Sequence, residues 1–179
     1  MESEGPDLGA TVTIELPLYM FPDSERAVSS IQPDATVEGL LLAQQNCSHT
    51  KHRVLVVDDA LSNRKMLVRL LERLGNTCLA ACNGQEAVSV IDADKVTAEA
   101  DPSHIPIDTI LMDYEMPVLN GPDATKLLRE NGCAALILGV TGNVLDEDVA
   151  HFIKMGADKV LAKPVQLALL EQCWEKRNS

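Results

Sequence analysis

The sequence predicts an α/β fold: a flavodoxin-like, doubly wound parallel sheet of five strands in the order 2-1-3-4-5. Three observations carry this. Short apolar runs and stretches of helical period alternate five times between Arg53 and Lys176. Such alternation implies parallel strands joined by right-handed crossovers, with helices on both faces. The alternating region is about 125 residues long, the size of a five-stranded domain of this kind.

The elements follow in order. Val54-Leu55-Val56-Val57 is an apolar, β-branched run that reads as a buried strand and ends in Asp58-Asp59. Leu67, Leu70, Leu71 and Leu74 then recur at helical spacing, with Ser62 or Asn63 as a cap and Gly75 as a stop. Thr77 to Ala81 is a second strand, Asn83-Gly84 a turn, and Gln85 to Ile91 a helix. Asp92 to Pro106, polar and holding two prolines, reads as an extended surface loop. Thr109 to Met112 leads into Asp113, and Pro117 and Gly121 prevent the strand from continuing. Pro122 to Glu130 is a helix with proline in its first turn. Ala134 to Val140 is a strand ending at Thr141-Gly142. Val144 to Met155 is a helix with Leu145, Val149, Phe152 and Ile153 inward. Lys159 to Ala162 is the last strand and ends at Lys163-Pro164. The closing helix, Val165 to Lys176, places Val165, Leu169, Cys173 and Trp174 on one face.

Composition narrows the function. The chain is 46% hydrophobic and 23% charged, as an ordinary globular protein is. Its net charge of −12 falls as −7 on residues 1–50 and −5 on the remainder. No basic patch and only five aromatic residues speak for nucleic-acid binding. The five cysteines (Cys47, Cys78, Cys82, Cys133, Cys173) lack metal-ligand spacing and suit a reducing compartment. The acidic start Met1-Glu2-Ser3-Glu4 is unlike a secretory signal, and no apolar run reaches membrane-spanning length, so a cytoplasmic protein is expected. His49, His52, His104 and His151 are expected to be solvated, and Met66, Met112, Met116 and Met155 to be packing residues rather than a binding surface.

The strand ends give the chemistry. In the predicted order Asp58-Asp59, Asp113, Thr141 and Lys163 converge on the carboxyl edge of the sheet, where open α/β sheets hold their sites. Two unit charges about 4 Å apart repel by roughly 4 kcal/mol at an effective dielectric near 20, so three carboxylates there call for a cation. All-oxygen ligands point to Mg²⁺ or Mn²⁺. Opposite them, Lys163 and Thr141 suit a phosphoryl group, and Asp113, on the central strand, is the best nucleophile candidate.

Val54 to Asp59, Leu111-Met112-Asp113-Tyr114-Glu115-Met116-Pro117 with Gly121, Val140-Thr141 and Leu161-Ala162-Lys163-Pro164 together resemble the response-regulator receiver domain. Asn63-Arg64, Gly84 to Ala87 and Asp146-Glu147-Asp148 are similar to the receivers of hybrid histidine kinases. The resemblance implies that Asp113 accepts a phosphoryl group from a histidine kinase or histidine phosphotransfer protein. It also implies that Asp58, Asp59, Asp113 and the main-chain carbonyl of Glu115 hold Mg²⁺. Thr141 and Lys163 would bind the phosphoryl oxygens, and the Lys163-Pro164 peptide would be cis. Val160 stands where the family carries the Tyr or Phe of its switch. Glu115 and Asn143 fall where the family tunes phosphoryl lifetime.

Within residues 1–18, Val12, Ile14 and Leu16 alternate with polar residues, similar to the last strand of a histidine-kinase ATP-binding domain. Residues 19–50 read as a linker with one apolar cluster, Leu40-Leu41-Leu42, and 51–179 as the receiver. No ATP loop or phosphohistidine box is present, so no kinase activity is expected of this chain itself. Two other readings share the residues: a degenerate receiver serving only as an interaction module, and a haloacid-dehalogenase-like phosphatase. The phosphatase would need Asp-x-Asp after the first strand, whereas Asp58 and Asp59 are adjacent.

Overall fold

The computed structural model describes residues 51–177. The strand-like run within 1–18, the linker at 19–50 and His49 lie outside them. Five strands, β1 (Arg53–Val57), β2 (Thr77–Ala81), β3 (Thr109–Asp113), β4 (Leu136–Thr141) and β5 (Lys159–Ala162), alternate with five helices. These are α1 (Leu61–Arg73), α2 (Gly84–Ala100), α3 (Gly121–Glu130), α4 (Asp146–Lys154) and α5 (Leu167–Arg177). All pairings are parallel, and the order is β2-β1-β3-β4-β5, as predicted.

Each central strand is apolar on both faces because helices cover both. Leu55, Val57, Ile110, Met112 and Ile137 pack against Val88 and Ile91 of α2, Leu128 of α3 and Phe152 of α4. The alternate residues Val54, Val56, Leu111, Leu138 and Val140 pack against Leu67 and Leu71 of α1 and Leu170 and Trp174 of α5. The register pairs Val57 with Met112, Asp113 with Val140, and Thr141 with Ala162. The ends of β1, β3, β4 and β5 therefore lie along one edge, which the site requires.

Several local expectations are corrected. The stretch read as a loop from Asp92 is helical through Ala100. The inward position after Ile91 is taken by Asp94, a charge where the helical period asks for an apolar residue, and this hid the helix. Asp94 is buried and held by Arg53, His104 at 2.8 Å and the Ile107 amide at 2.8 Å. Burial works against its charge, yet these donors prevail and hold its carboxyl below the ordinary aspartate range. His104 is thus paired rather than solvated. So is His52, which contacts Asp108 at 3.1 Å and stacks on Trp174 with ring centroids 4.2 Å apart.

Neither Ser62 nor Asn63 caps α1. The cap position is Ala60, whose amide donates to Asp58 Oδ1 at 2.8 Å. Leu145 and Ile153, expected inward, are exposed, as is Met66. Only Phe152 of α4 is buried, and on α5 it is Leu170 rather than Leu169 that is fully buried.

Phe152 reaches that position because residue 139 has no side chain. A Cβ on Gly139 would lie 2.6 Å from the Phe152 ring. Gly139→Ala is therefore expected to cost about 1–3 kcal/mol, the usual penalty for overfilling a packed core. Urea denaturation would measure it, and the double variant Gly139→Ala with Phe152→Leu should recover part of the loss.

Candidate functional site

The site is assembled from strand ends. Asp58, the first residue past β1, is buried, and its neighbour Asp59 is exposed. Asp113 closes β3 and is buried. Carboxylate oxygens of Asp58, Asp59 and Asp113 lie within 4.8 Å of one another. Lys163, one residue past β5, sits between two of them, with Nζ 2.8 Å from both Asp58 Oδ2 and Asp113 Oδ2. The Lys163-Pro164 peptide is cis, as expected. The backbone of α3 abuts the acid directly: a Cβ on Gly121 would stand 2.0 Å from the Asp113 carbonyl oxygen.

One lysine is shared by two buried acids, and the electrostatics follow from that. Burial pushes the Asp113 carboxyl above the ordinary aspartate range, and the charge of Asp58 adds to the push. Hydrogen bonds from Lys163 and the Tyr114 amide only partly oppose it. Burial alone would lower the Lys163 ammonium, but its bonds to Asp113 and Asp58 outweigh burial and hold it above its usual value. Lys163 is thus a fixed cation.

The rest of the edge forms an open cleft of about 750 Å³, lined among others by Asp59, Asp113, Glu115, Thr141, Asn143 and Lys163. The exposed His151 also lines it. Thr141 is buried, and its hydroxyl donates to the Asn143 carbonyl at 2.9 Å while accepting from the Asn143 amide at 3.1 Å. It is held in its own loop rather than aimed at Asp113. Tyr114 donates its amide to Asp113 Oδ1 at 2.9 Å and its hydroxyl to Asp148 at 3.2 Å. Its ring meets Phe152 edge-on at 5.4 Å. Val160 is half-buried against that same core.

The acid cluster contains only oxygen donors, with neither His nor Cys, and oxygen donors suit a hard divalent cation. The residues present fit Mg²⁺ or Mn²⁺.

The family description "Response regulator receiver domain" matches residues 54–175. The chain belongs to that family. This receiver domain is 35% identical over 133 residues to two-component response regulator 24 of Arabidopsis thaliana, covering 74% of this chain and 88% of that protein. It is 34% identical over 119 residues to the sensor histidine kinase RcsC of Escherichia coli (strain K12), covering 66% of this chain but only 11% of the kinase. A mutant receiver domain of the histidine kinase CKI1 from Arabidopsis thaliana matches with a TM-score of 0.63 at 30% identity, over 70% of this chain and 90% of that one. A second solved match, at TM-score 0.56 and 27% identity, covers 67% of this chain and 83% of the other. It comes from the co-crystal structure of the Saccharomyces cerevisiae histidine phosphotransfer protein Ypd1 and the receiver domain of its downstream response regulator Ssk1. The receiver domain acts in two-component phosphorelay signalling, and among its described residues no helix is long and apolar enough to cross a membrane.

Asp58, Asp59, Asp113, Thr141 and Lys163, the residues expected from the sequence, meet at this edge, whereas Tyr114 and His151 carry no site signal in the sequence. Asn63, read as a possible helix cap, and Arg64, marked only by the family likeness, gain their contacts from the structure. Asn63 Nδ2 lies 3.2 and 3.1 Å from the two oxygens of Asp58. Arg64 Nη1 donates to the main-chain carbonyls of Asp58 at 2.5 Å and Asp59 at 2.9 Å. Their positions on the first turn of α1, facing back toward the end of β1, were the available signal.

Proposed function

We propose that Asp113 is the phosphoacceptor, taking the phosphoryl group of a phosphohistidine on a histidine kinase or histidine phosphotransfer protein. The observation that carries this is the 2.8 Å contact of Lys163 with Asp113 beside an all-oxygen acid cluster. An Asp113 oxygen attacks phosphorus, the P–N bond breaks, and the electron pair returns to the imidazole, which takes a proton from solvent. Asp58, Asp59, Asp113 and the carbonyl of Glu115 would hold Mg²⁺, which when bound neutralises charge on the transferring group. Lys163 exchanges its contact with the Asp113 carboxylate for one with a phosphoryl oxygen. Thr141 gives up its bond to the Asn143 carbonyl and donates to another.

The sequence likeness of residues 1–18 to the end of a kinase ATP-binding domain, ahead of the receiver, supports a place downstream of a histidine-kinase core. The free cysteines Cys78, Cys82, Cys133 and Cys173 support a cytoplasmic setting.

Incubation with acetyl phosphate and Mg²⁺, followed by intact-mass measurement, tests the reading. One added phosphoryl group is expected, lost on mild base treatment and absent when a chelator removes the metal. Turnover of aryl phosphate without a stable adduct, or no adduct at all, would contradict it. Glu115 stands exposed in the lining of the cleft that also holds Asp113, and the role proposed for it is to hinder attack by water on the acyl phosphate. Glu115→Ala is expected to shorten the phosphoryl lifetime severalfold, and an unchanged dephosphorylation rate would refute that role.

A further inference from the structure

Asp58 is unusually well supplied with donors. Its Oδ1 accepts from the Ala60 amide and Asn63, and its Oδ2 accepts from Asn63 and Lys163. Lys163 is the one member of this set also bonded to the acceptor Asp113. Once Lys163 turns to a phosphoryl group, Asp58 keeps only Ala60 and Asn63. Asn63 alone touches both oxygens of the carboxylate, so it alone fixes the rotation of that group.

Asn63 has no helical task that would explain it. It is a poor helix former in the first turn of α1, and its side chain caps no helical amide. It reaches back to an acid of the preceding strand end. Beside it, the Arg64 guanidinium holds the Asp58 and Asp59 carbonyls and takes no carboxylate oxygen away from a cation. Asn63 is also uncharged, so its influence on a bound cation runs through the orientation of Asp58.

We propose that Asn63 is a positioning residue for the divalent cation, holding Asp58 in a metal-ready orientation that no longer depends on Lys163. This rests on reading Asp58, Asp59 and Asp113 as the metal site. Groups that orient metal-binding side chains typically contribute 10- to 100-fold in affinity. Because the Ala60 amide remains on Oδ1, the low end, about tenfold, is expected.

The test is calorimetric titration of the whole protein with MgCl₂, comparing wild type with Asn63→Leu, similar in size but without a donor. Asn63→Ser serves as a second variant, its short hydroxyl unable to span both oxygens. The Mg²⁺ dissociation constant should rise about tenfold in either variant that retains the wild-type circular dichroism spectrum. Phosphorylation by acetyl phosphate should half-saturate at correspondingly higher Mg²⁺ yet reach the wild-type maximal rate. An Mg²⁺ affinity within about twofold of wild type in a folded variant overturns the proposal. A wild-type protein that binds no Mg²⁺ overturns the metal-site reading itself, and the two failures are thereby distinguished.

Discussion

Asp113→Asn takes up no phosphoryl group from acetyl phosphate or from a phosphohistidine donor, while Mg²⁺-dependent uptake by wild type proceeds. The amide nitrogen that replaces one carboxylate oxygen carries no charge and is a far weaker nucleophile. Intact mass after incubation reads the loss directly. The same variant has a second, opposite effect on stability. The folded Asp113 carboxyl titrates above its unfolded value, because burial and Asp58 disfavour its charge. For a group raised in this sense, the stability it contributes is complete below about pH 4 and is lost as pH rises through the folded value. Asparagine, neutral throughout, escapes that loss. Metal-free Asp113→Asn is therefore expected to unfold at a higher temperature than wild type at pH 7, and the difference should vanish on acidification.

Asp94→Ala is expected to destabilise the fold by about 3 kcal/mol. The change removes the acceptor shared by Arg53, His104 and the Ile107 amide, leaving Arg53 without its counter-charge and a buried amide unsatisfied at the edge of the sheet opposite the site. Breaking a buried ion pair typically costs about 3–5 kcal/mol, and the partial exposure of Arg53 selects the lower end. The folded Asp94 carboxyl lies below its unfolded value, so its contribution is present above about pH 4 and is lost as pH falls through the folded value. Urea denaturation at pH 7 should show the full deficit, and at pH 3 the gap between variant and wild type should narrow.

The pattern of these two predictions reflects what the sequence disclosed. β1, β3 and β4 are buried on both faces, so their apolar runs stand out, and the acids at their ends are read from the point where the run stops. Asp58, Asp113 and Thr141 are legible for that reason, Lys163 is legible from the short run of β5 that precedes it, and their convergence follows from the strand order. The Asp94 network was not legible. It depends on Arg53 and His104 meeting Asp94 across 41 and 10 residues of chain, and no local period marks such a contact. The exposed Leu145 and Ile153 fooled the helical period, because Phe152 alone fills the space left by Gly139. Thr141 was placed correctly on the sheet edge, but its hydroxyl direction depends on a hydrogen bond within its own loop.

The arrangement around Val160 follows the same logic. Val160 packs half-buried against the same core as Phe152 of α4, which lies edge-on to Tyr114, whose amide contacts Asp113. The residue adjacent to the acceptor is thereby tied to α4 through both Phe152 and Asp148.

The most direct test of the account is to locate the phosphoryl group. Wild-type protein phosphorylated in Mg²⁺ is treated with borohydride, which reduces an acyl phosphate to an alcohol, and the digested peptides are sequenced by mass spectrometry. Conversion of Asp113 to homoserine, with Asp58 and Asp59 intact, is the predicted result. Reduction at another carboxylate, or an unmodified Asp113 peptide from protein that has gained phosphate, would contradict it.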